Sequence, residues 1–286
     1  MKKFKRTSVF ILCIVMAFMS IAVGVSAGAA SPAFPEGSTY VKVTLDGKEV
    51  LKNEAILINS VTYVPVRSFS ELMGADDISW NQKTRTATIK KGDVSIYLTS
   101  GALYVGANGR YFFTVEKILN INDRLYAPVR AIAKSFNASV DWDNNTRTVV
   151  ITSGKKAIAS GSDFYNSTDL YWLSRIISAE AAGESLVGQI AVGNVVLNRK
   201  ASAQYPNTVY GVIFDRKGGT QFSPVSMGTI YNTPSEMSII AAKICLDGYS
   251  VDTGILFFMN PKIATSNWIS KNRPFAFTIG NHSFYY

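Results

Sequence analysis

Histidine and cysteine are almost absent from this chain. Among 286 residues there is one histidine, His282, and there are two cysteines, Cys13 and Cys245. So few imidazoles and thiols cannot supply the ligand set of a typical zinc site, and no cofactor or metal is expected. A Ser-His-Asp triad is excluded unless His282 is its base. Charge is also sparse, at 17% of residues, and it is lopsided: 20 acidic residues against 29 basic ones, a net of +9. No basic stripe with interleaved aromatics accompanies that excess, so no nucleic-acid partner is expected. Apolar residues make up 47% of the chain, enough to bury a sizeable core, and the composition is not that of a disordered protein. Hydrolytic chemistry in such a chain rests on carboxylates.

The first residues set the expected compartment. Lys2, Lys3, Lys5 and Arg6 form a basic start, Val9 to Val25 is an uncharged apolar run, and Val25-Ser26-Ala27 fits the small-x-small cleavage rule. Residues 1–27 are therefore expected to be a secretory signal, with Ala29 or Ala30 as alternative cleavage points. The competing reading is a permanent anchor, because the run is long enough to span a bilayer. The small residues after Ser20 favour cleavage, which leaves no stable membrane span. Cys13 follows Leu12 inside the apolar run, a poor context for lipidation. Cleavage removes four basic residues from a net of +9 and leaves about +5 with Cys245 as the one thiol, so no internal disulfide forms. A secreted chain of that charge suits an anionic partner such as a bacterial wall.

The mature chain opens with an internal duplication. Tyr63-Val64-Pro65-Val66-Arg67 recurs as Tyr126-Ala127-Pro128-Val129-Arg130. Trp80 followed by Thr84-Arg85-Thr86 recurs as Trp142 followed by Thr146-Arg147-Thr148. Each copy predicts a strand (Ala55–Ile58, Ile118–Ile121), a tight turn, a strand entering Pro-Val-Arg, a short helix (Ser68–Met73, Ala131–Phe136) and two closing strands. Arg67 and Arg130 read as buried structural arginines at the interface between the copies, with ligand binding as the alternative. These blocks resemble the copper amine oxidase N-terminal-like domain. The region contains no histidine, so the resemblance implies a wall-associated module without copper. The stretch from Ser153 to Thr168 is rich in Ser, Gly, Lys and Ala and reads as a linker.

Beyond it the pattern turns helical. Thr168-Asp169 is the expected N-cap of a helix whose apolar positions are Leu170, Leu173, Ile176, Ile177 and Ala181. Glu180 falls on that apolar face. Burial raises a carboxyl pKa, and a protonated glutamate in a cleft can protonate a leaving glycosidic oxygen. The plainer alternative is a glutamate paired with a nearby arginine or capping a helix. Ser185 is the expected cap of a second helix ending at Asn198-Arg199-Lys200. Thr233-Pro234-Ser235-Glu236 reads as a capping box opening a third. Strands are expected at Ile255–Met259 and Phe275–Ile279.

Arg175 to Glu184, Gly188 to Val192, Val196 to Arg199, Tyr205 to Thr208, Gly211 to Ile213, Gln221 to Pro224, Asn260-Pro261 and Gly280 to Phe284 follow one another in the order of the SleB-like cell-wall hydrolase family, the spore cortex-lytic enzymes. The resemblance covers nearly all of residues 168–286, and Ala182 departs from it where many members carry arginine. Together the repeat and the two resemblances imply an α+β architecture for the whole chain. A duplicated small α+β module lies over 40–154 and a linker over 155–167. Residues 168–286 form a mostly α-helical domain of lysozyme or lytic-transglycosylase type with a small β element. The hydrolase resemblance further implies a peptidoglycan-cleaving enzyme, secreted to the wall or spore cortex and acting in germination. That enzyme cuts between N-acetylmuramic acid and N-acetylglucosamine, with Glu180 as general acid and then base. Gln221, Phe222, Asn260 and His282 are candidate substrate contacts. A hydrolytic muramidase or glucosaminidase would need a second carboxylate, and Glu184, Asp215, Glu236, Asp247 and Asp252 are the candidates. A non-catalytic wall-binding protein is the remaining alternative.

Overall fold

The computed structural model describes residues 34–286, so the expected signal, its cleavage points and Cys13 lie outside the described residues. Strands β1 (Thr39–Tyr40), β2 (Lys42–Leu45) and β3 (Lys48–Val50) come first. Then follow β4 (Ile56–Ile58), β5 (Val61–Pro65), α1 (Val66–Leu72), β6 (Asp77–Asn81) and β7 (Thr86–Lys91). Strands β8 (Val94–Thr99), β9 (Tyr104–Ala107) and β10 (Arg110–Phe113) extend the β6–β7 sheet in antiparallel fashion. The order strand, strand, helix, strand, strand then recurs as β11 (Leu119–Ile121), β12 (Arg124–Pro128), α2 (Val129–Ser135), β13 (Ser139–Asp143) and β14 (Thr148–Thr152).

Local chemistry explains the recurrence. The β4–β5 hairpin turns on Asn59-Ser60 and the β11–β12 hairpin on Asn122-Asp123, all four at positive φ, as a two-residue turn matching strand twist requires. Pro65 and Pro128 end their strands, since proline cannot donate to a ladder, and the helices begin at the next residue. β5 and β12 pair antiparallel with Ala127 opposite Val64. Trp80 donates its indole N–H to Gln82 at 2.7 Å, and Trp142 donates to Asn144 at 2.9 Å. The Thr86 and Thr148 hydroxyls each bond the carbonyl two residues back at 3.1 Å. Arg85 and Arg147, between those threonines and the tryptophans, both take φ near +50°. Arg67 and Arg130 differ from expectation. Both are exposed; Arg67 lies 4.0 Å from Glu71 on its own helix, and Arg130 donates to the Val140 carbonyl at 2.7 Å. Each follows its proline at the outer start of a helix, so its charge stays in water. The N-terminal part is also richer in strand than a small α+β module, its helices spanning seven residues each. β2 pairs with β14 in parallel, in a sheet ordered β13-β14-β2-β3.

The segment 155–167 joins the two parts but is packed. Ile158 lies in the N-terminal core. Ser160 caps the short helix α3 (Gly161–Phe164), and Tyr165 is buried. Next come α4 (Ser167–Ala181), α5 (Leu186–Ala201), α6 (Val209–Phe214), α7 (Ser223–Met227), a 3-10 turn at Thr229–Tyr231 and α8 (Glu236–Leu246). Strand β15 (Phe257–Met259), helix α9 (Trp268–Asn272), β16 (Phe275–Ile279) and β17 (His282–Tyr285) finish the chain, in a sheet ordered β15-β17-β16. The caps refine the expected starts. Asn166, not Thr168, caps α4 by accepting from the Asp169 amide. Ser235, not Thr233, caps α8, its hydroxyl accepting from the Ser238 amide, so Glu236 is the first helical residue. Ser185 caps α5 as expected. No helix of the described residues is long and apolar enough to cross a membrane.

The two parts meet at one buried carboxylate. Asp247, at the end of α8, has a side chain only 2% exposed. It receives bonds from the Arg110 guanidinium of β10 and from the Tyr165 hydroxyl, and Lys134 of α2 lies 3.8 Å away. Arg110 also lies over the Phe164 ring, 3.4 Å from its centroid. Around this centre Phe113 meets Tyr249 with ring centroids 4.3 Å apart, and Lys243 donates to the Gly109 carbonyl at 3.0 Å.

Polar residues of α5 hold the chain after α8. Asn194 donates to the Tyr249 carbonyl and accepts from the Val251 amide. Asn198 donates to the carbonyls of Asp252 and Ile255, and Arg199 to that of Leu256. This segment has no ladder partners for those groups, so α5 supplies them. Replacing Asn198 with Ala strips the Asp252 and Ile255 carbonyls of these bonds; thermal or urea unfolding is expected to show a loss of about 1–3 kcal/mol.

Candidate active site

Helices α4, α5 and α8 pack together and carry the site. Lys200 of α5 pairs with Asp169 of α4 at 2.8 Å. Gly193 lets α5 close in, since a Cβ there would stand 2.8 Å from both Cys245 Sγ and Ile177 Cδ1. Cys245 is free and buried, and burial pushes its thiol pKa up, which makes it a packing residue.

Glu180 lies near the end of α4 beside the buried residues Leu173, Ile176, Ile177 and Ala181. Its side chain is half-buried. Among the described residues no donor hydrogen-bonds its carboxyl and no cation pairs with it. Arg175, on the same helix, points its guanidinium over the Tyr171 ring, 3.6 Å from the centroid. The arginine-paired reading of Glu180 therefore has no geometry behind it. Burial, with nothing to offset it, pushes the Glu180 pKa up to about 7.

Glu184 lies just past the end of α4 in the opposite environment. Asn281 gives it a backbone N–H at 3.2 Å and a side-chain N–H at 2.9 Å. The Asn281 side-chain bond is the main reason its pKa falls below the ordinary value. Gly280, at φ +58°, lies so close that a Cβ would stand 1.9 Å from Glu184 Oε2. The Gly280-Asn281 turn of the β16–β17 hairpin is thus docked onto the residue after α4. Gln189 completes the tie, donating to the Glu184 carbonyl and accepting from the Ser238 hydroxyl of α8. Ser178, on the turn before Glu180, accepts from the Ser235 amide at 3.1 Å.

The four expected substrate contacts fall in different places. Phe222 is 3% exposed and belongs to the helical core, with the Arg199 guanidinium 5.2 Å from its centroid, so its ring is not offered to a sugar. His282 is 7% exposed in β17, edge-on to Phe258 at 5.3 Å. Its Nδ1 lies 4.0 Å from Glu184, but burial lowers the imidazole pKa more than that carboxylate raises it, so the pair is not an ion pair near neutral pH. Gln221 donates to the carbonyls of Lys217 and Gly219 and shapes its own loop. Asn260 accepts from the Lys262 amide in a turn. Phe222 and His282 share Phe258 as a neighbour. None of the four bonds to Glu180 among the described residues.

The remaining carboxylates are engaged elsewhere. Asp247 is held between the two parts, Asp252 accepts from the Tyr286 hydroxyl and the Gly254 amide, Asp215 accepts from the Lys217 amide after α6, and Glu236 opens α8. Among the described residues no group of three or more His, Cys, Asp or Glu could hold a metal ion. The supports that sequence reasoning missed are Gln189, Asn194 and Asn281. The Gly-Asn pair between β16 and the aromatic tail is a hairpin signal that points to the last of them.

Comparison with known proteins adds the family. Residues 183–285 match the family described as Cell Wall Hydrolase, beginning just after Glu180, and residues 44–151 match the Copper amine oxidase N-terminal domain. Over 120 residues the chain is 39% identical to the spore cortex-lytic enzyme of Bacillus cereus, covering 42% of this chain and 45% of that protein. It is 37% identical to the spore cortex-lytic enzyme of Bacillus subtilis (strain 168), covering 42% of this chain and 38% of that one. The chain thus matches less than half the length of these relatives. Among solved structures, the catalytic domain of the germination-specific lytic transglycosylase SleB from Bacillus anthracis is 37% identical, with a TM-score of 0.39, covering 45% of this chain and 100% of that one. The catalytic domain of the Bacillus cereus SleB protein is 37% identical, with a TM-score of 0.38, covering 46% of this chain and 98% of that one. This chain carries a cell wall hydrolase domain at its C-terminal end, preceded by a copper amine oxidase N-terminal domain.

Proposed function

We propose that this protein cleaves peptidoglycan glycan strands between N-acetylmuramic acid and N-acetylglucosamine as a lytic transglycosylase, with Glu180 as its acid and base. The observation that carries the reading is the unpaired, half-buried Glu180 carboxyl with its pKa pushed up to about 7. Near neutral pH a large fraction of it is protonated and can donate to the glycosidic oxygen as the C1–O bond breaks. The carboxylate so formed takes the proton of the muramic C6 hydroxyl, whose oxygen attacks C1 and closes a 1,6-anhydro ring. Glu180 ends protonated, and no water is consumed. A water-activating partner is unnecessary, which agrees with Glu184, Asp247 and Asp252 each being held by other donors. The names of the relatives support a cortex or wall substrate reached by an exported chain, and a role in spore germination. The duplicated N-terminal module, over 40–154, is then the wall-associating part, and residues 168–286 are the cleaving part.

Digestion of purified spore cortex and vegetative peptidoglycan, read by fragment mass, tests this. Wild type is expected to release anhydro-muramic ends and Glu180→Gln none. Reducing ends from wild type would instead establish a hydrolase. The rate is expected to fall as pH rises through about 7, because the acid form of Glu180 is lost.

The same shift affects stability with a definite sign. The folded pKa is raised, so the folded state holds the proton more tightly than the unfolded chain. Stability is expected to fall as pH rises from the unfolded value of 4.5 to about 7. Glu180→Gln removes that cost. Thermal unfolding is expected to show the variant more stable than wild type by up to about 3 kcal/mol above that window, with little difference below it.

A further inference from the structure

A cavity of about 420 Å³ lies in the N-terminal part, between the first Pro-Val-Arg block and the β11–β12 hairpin. It shares Trp80, Asp123 and Leu125 with a neighbouring cavity of about 320 Å³, so the two form a continuous groove. Its wall combines three kinds of group. The Trp80 indole is 39% exposed, and its N–H bond to Gln82 fixes its orientation. Arg67, Arg124 and Arg85 bring exposed guanidinium groups. Glu54 and Asp123 bring carboxylate acceptors; Glu54 uses one oxygen on Ser68, at 2.9 Å.

We propose that this groove binds an acidic saccharide. The apolar face of a sugar ring stacks on an indole. Its hydroxyls donate to the Glu54 and Asp123 carboxylates. An acidic substituent, carboxylate or phosphate, takes the planar fork of an arginine. The open, polar wall does not suit an apolar ligand. The proposal deepens the wall-association reading of the N-terminal part, on which it rests, by naming the site and its ligand chemistry.

The molecule contains its own control. Trp142 has the same exposure and the same kind of indole bond as Trp80, yet it lines neither cavity. The test uses the full mature chain carrying Glu180→Gln, so that the probes stay intact. Binding is measured by co-sedimentation with whole bacterial wall, with wall stripped of attached acidic polymers, and with chitin beads as a neutral polysaccharide. Trp80→Ala and Arg124→Glu are each expected to weaken wall binding about tenfold or more, and Trp142→Ala to leave it unchanged. Added salt is expected to weaken the wild type. Binding that survives stripping assigns the acid to peptidoglycan carboxylates; binding lost on stripping assigns it to the attached polymer. Equal behaviour of Trp80→Ala and Trp142→Ala, unchanged binding by Arg124→Glu, or chitin held as tightly as wall would overturn the proposal. Arg124 is exposed, but its side chain also hydrogen-bonds the buried Tyr126, so the binding of Arg124→Glu is read beside its thermal unfolding, and Trp80→Ala carries the test if that variant unfolds. Cleavage is assayed separately with Glu180 intact. A groove that fails beside a working enzyme removes this inference alone, and a dead enzyme with a working groove removes only the catalytic reading.

Discussion

The carboxylate of Asp247 is the point from which the arrangement of the two parts follows. It is buried at the end of α8 and reached by an arginine from β10, a hydroxyl from the connecting segment and a lysine from α2. A buried charge is costly unless donors surround it, and loss of one partner leaves the rest uncompensated. The three donors come from stretches far apart in sequence, so satisfying the charge sets the positions of sheet, connector and helix together. Helix α8 packs directly against α4, which bears Glu180. The N-terminal sheet therefore bears on the helix of Glu180 through one shared neighbour.

The site depends on a contrast between carboxylates. Asp247 and Glu184 are supplied with donors, whereas Glu180 receives burial and nothing else. Within about one turn of chain, Glu184 is held ionised by Asn281 while Glu180 is pushed toward its neutral form. Separating two pKa values in this way leaves one carboxylate an ionised anchor and the other largely protonated near neutral pH, as the proposed mechanism needs. The anchor in turn holds the β16–β17 hairpin against the end of α4, so the hairpin and Glu180 are neighbours by construction.

Much of this was legible in the residues, for definite reasons. The spacing of Leu173, Ile176 and Ile177 put Glu180 on the inner face of α4, because a helical period is visible in a single segment. The limits of β16 and the Ser185 cap were read correctly on the same local grounds. Errors arose where the deciding partner lies far away. The connector looked free because its residues are small and polar, yet Ile158 and Tyr165 anchor it to distant groups. Phe222 sits in a motif loop, but Arg199 and Phe258 draw it into the core. Strand β17 is not among the strands expected from the sequence, although the Gly280-Asn281 pair before it is a local turn signal. The α8 cap was misplaced because Thr233 and Ser235 both offer hydroxyls, and only the geometry chooses between them.

The parallel pairing of β2 with β14 has a mechanical consequence. After β1, which pairs with β4 in another sheet, the chain enters the four-stranded sheet through the start of β2 and leaves it through the end of β14, at opposite ends of a parallel ladder. Tension drawn along the chain between those points loads the ladder in shear, so its hydrogen bonds bear the force together and do not open one at a time as in a zipper. A load from the N-terminal side reaches this ladder only after the short β1–β4 pairing has given way, and the ladder then resists as a unit.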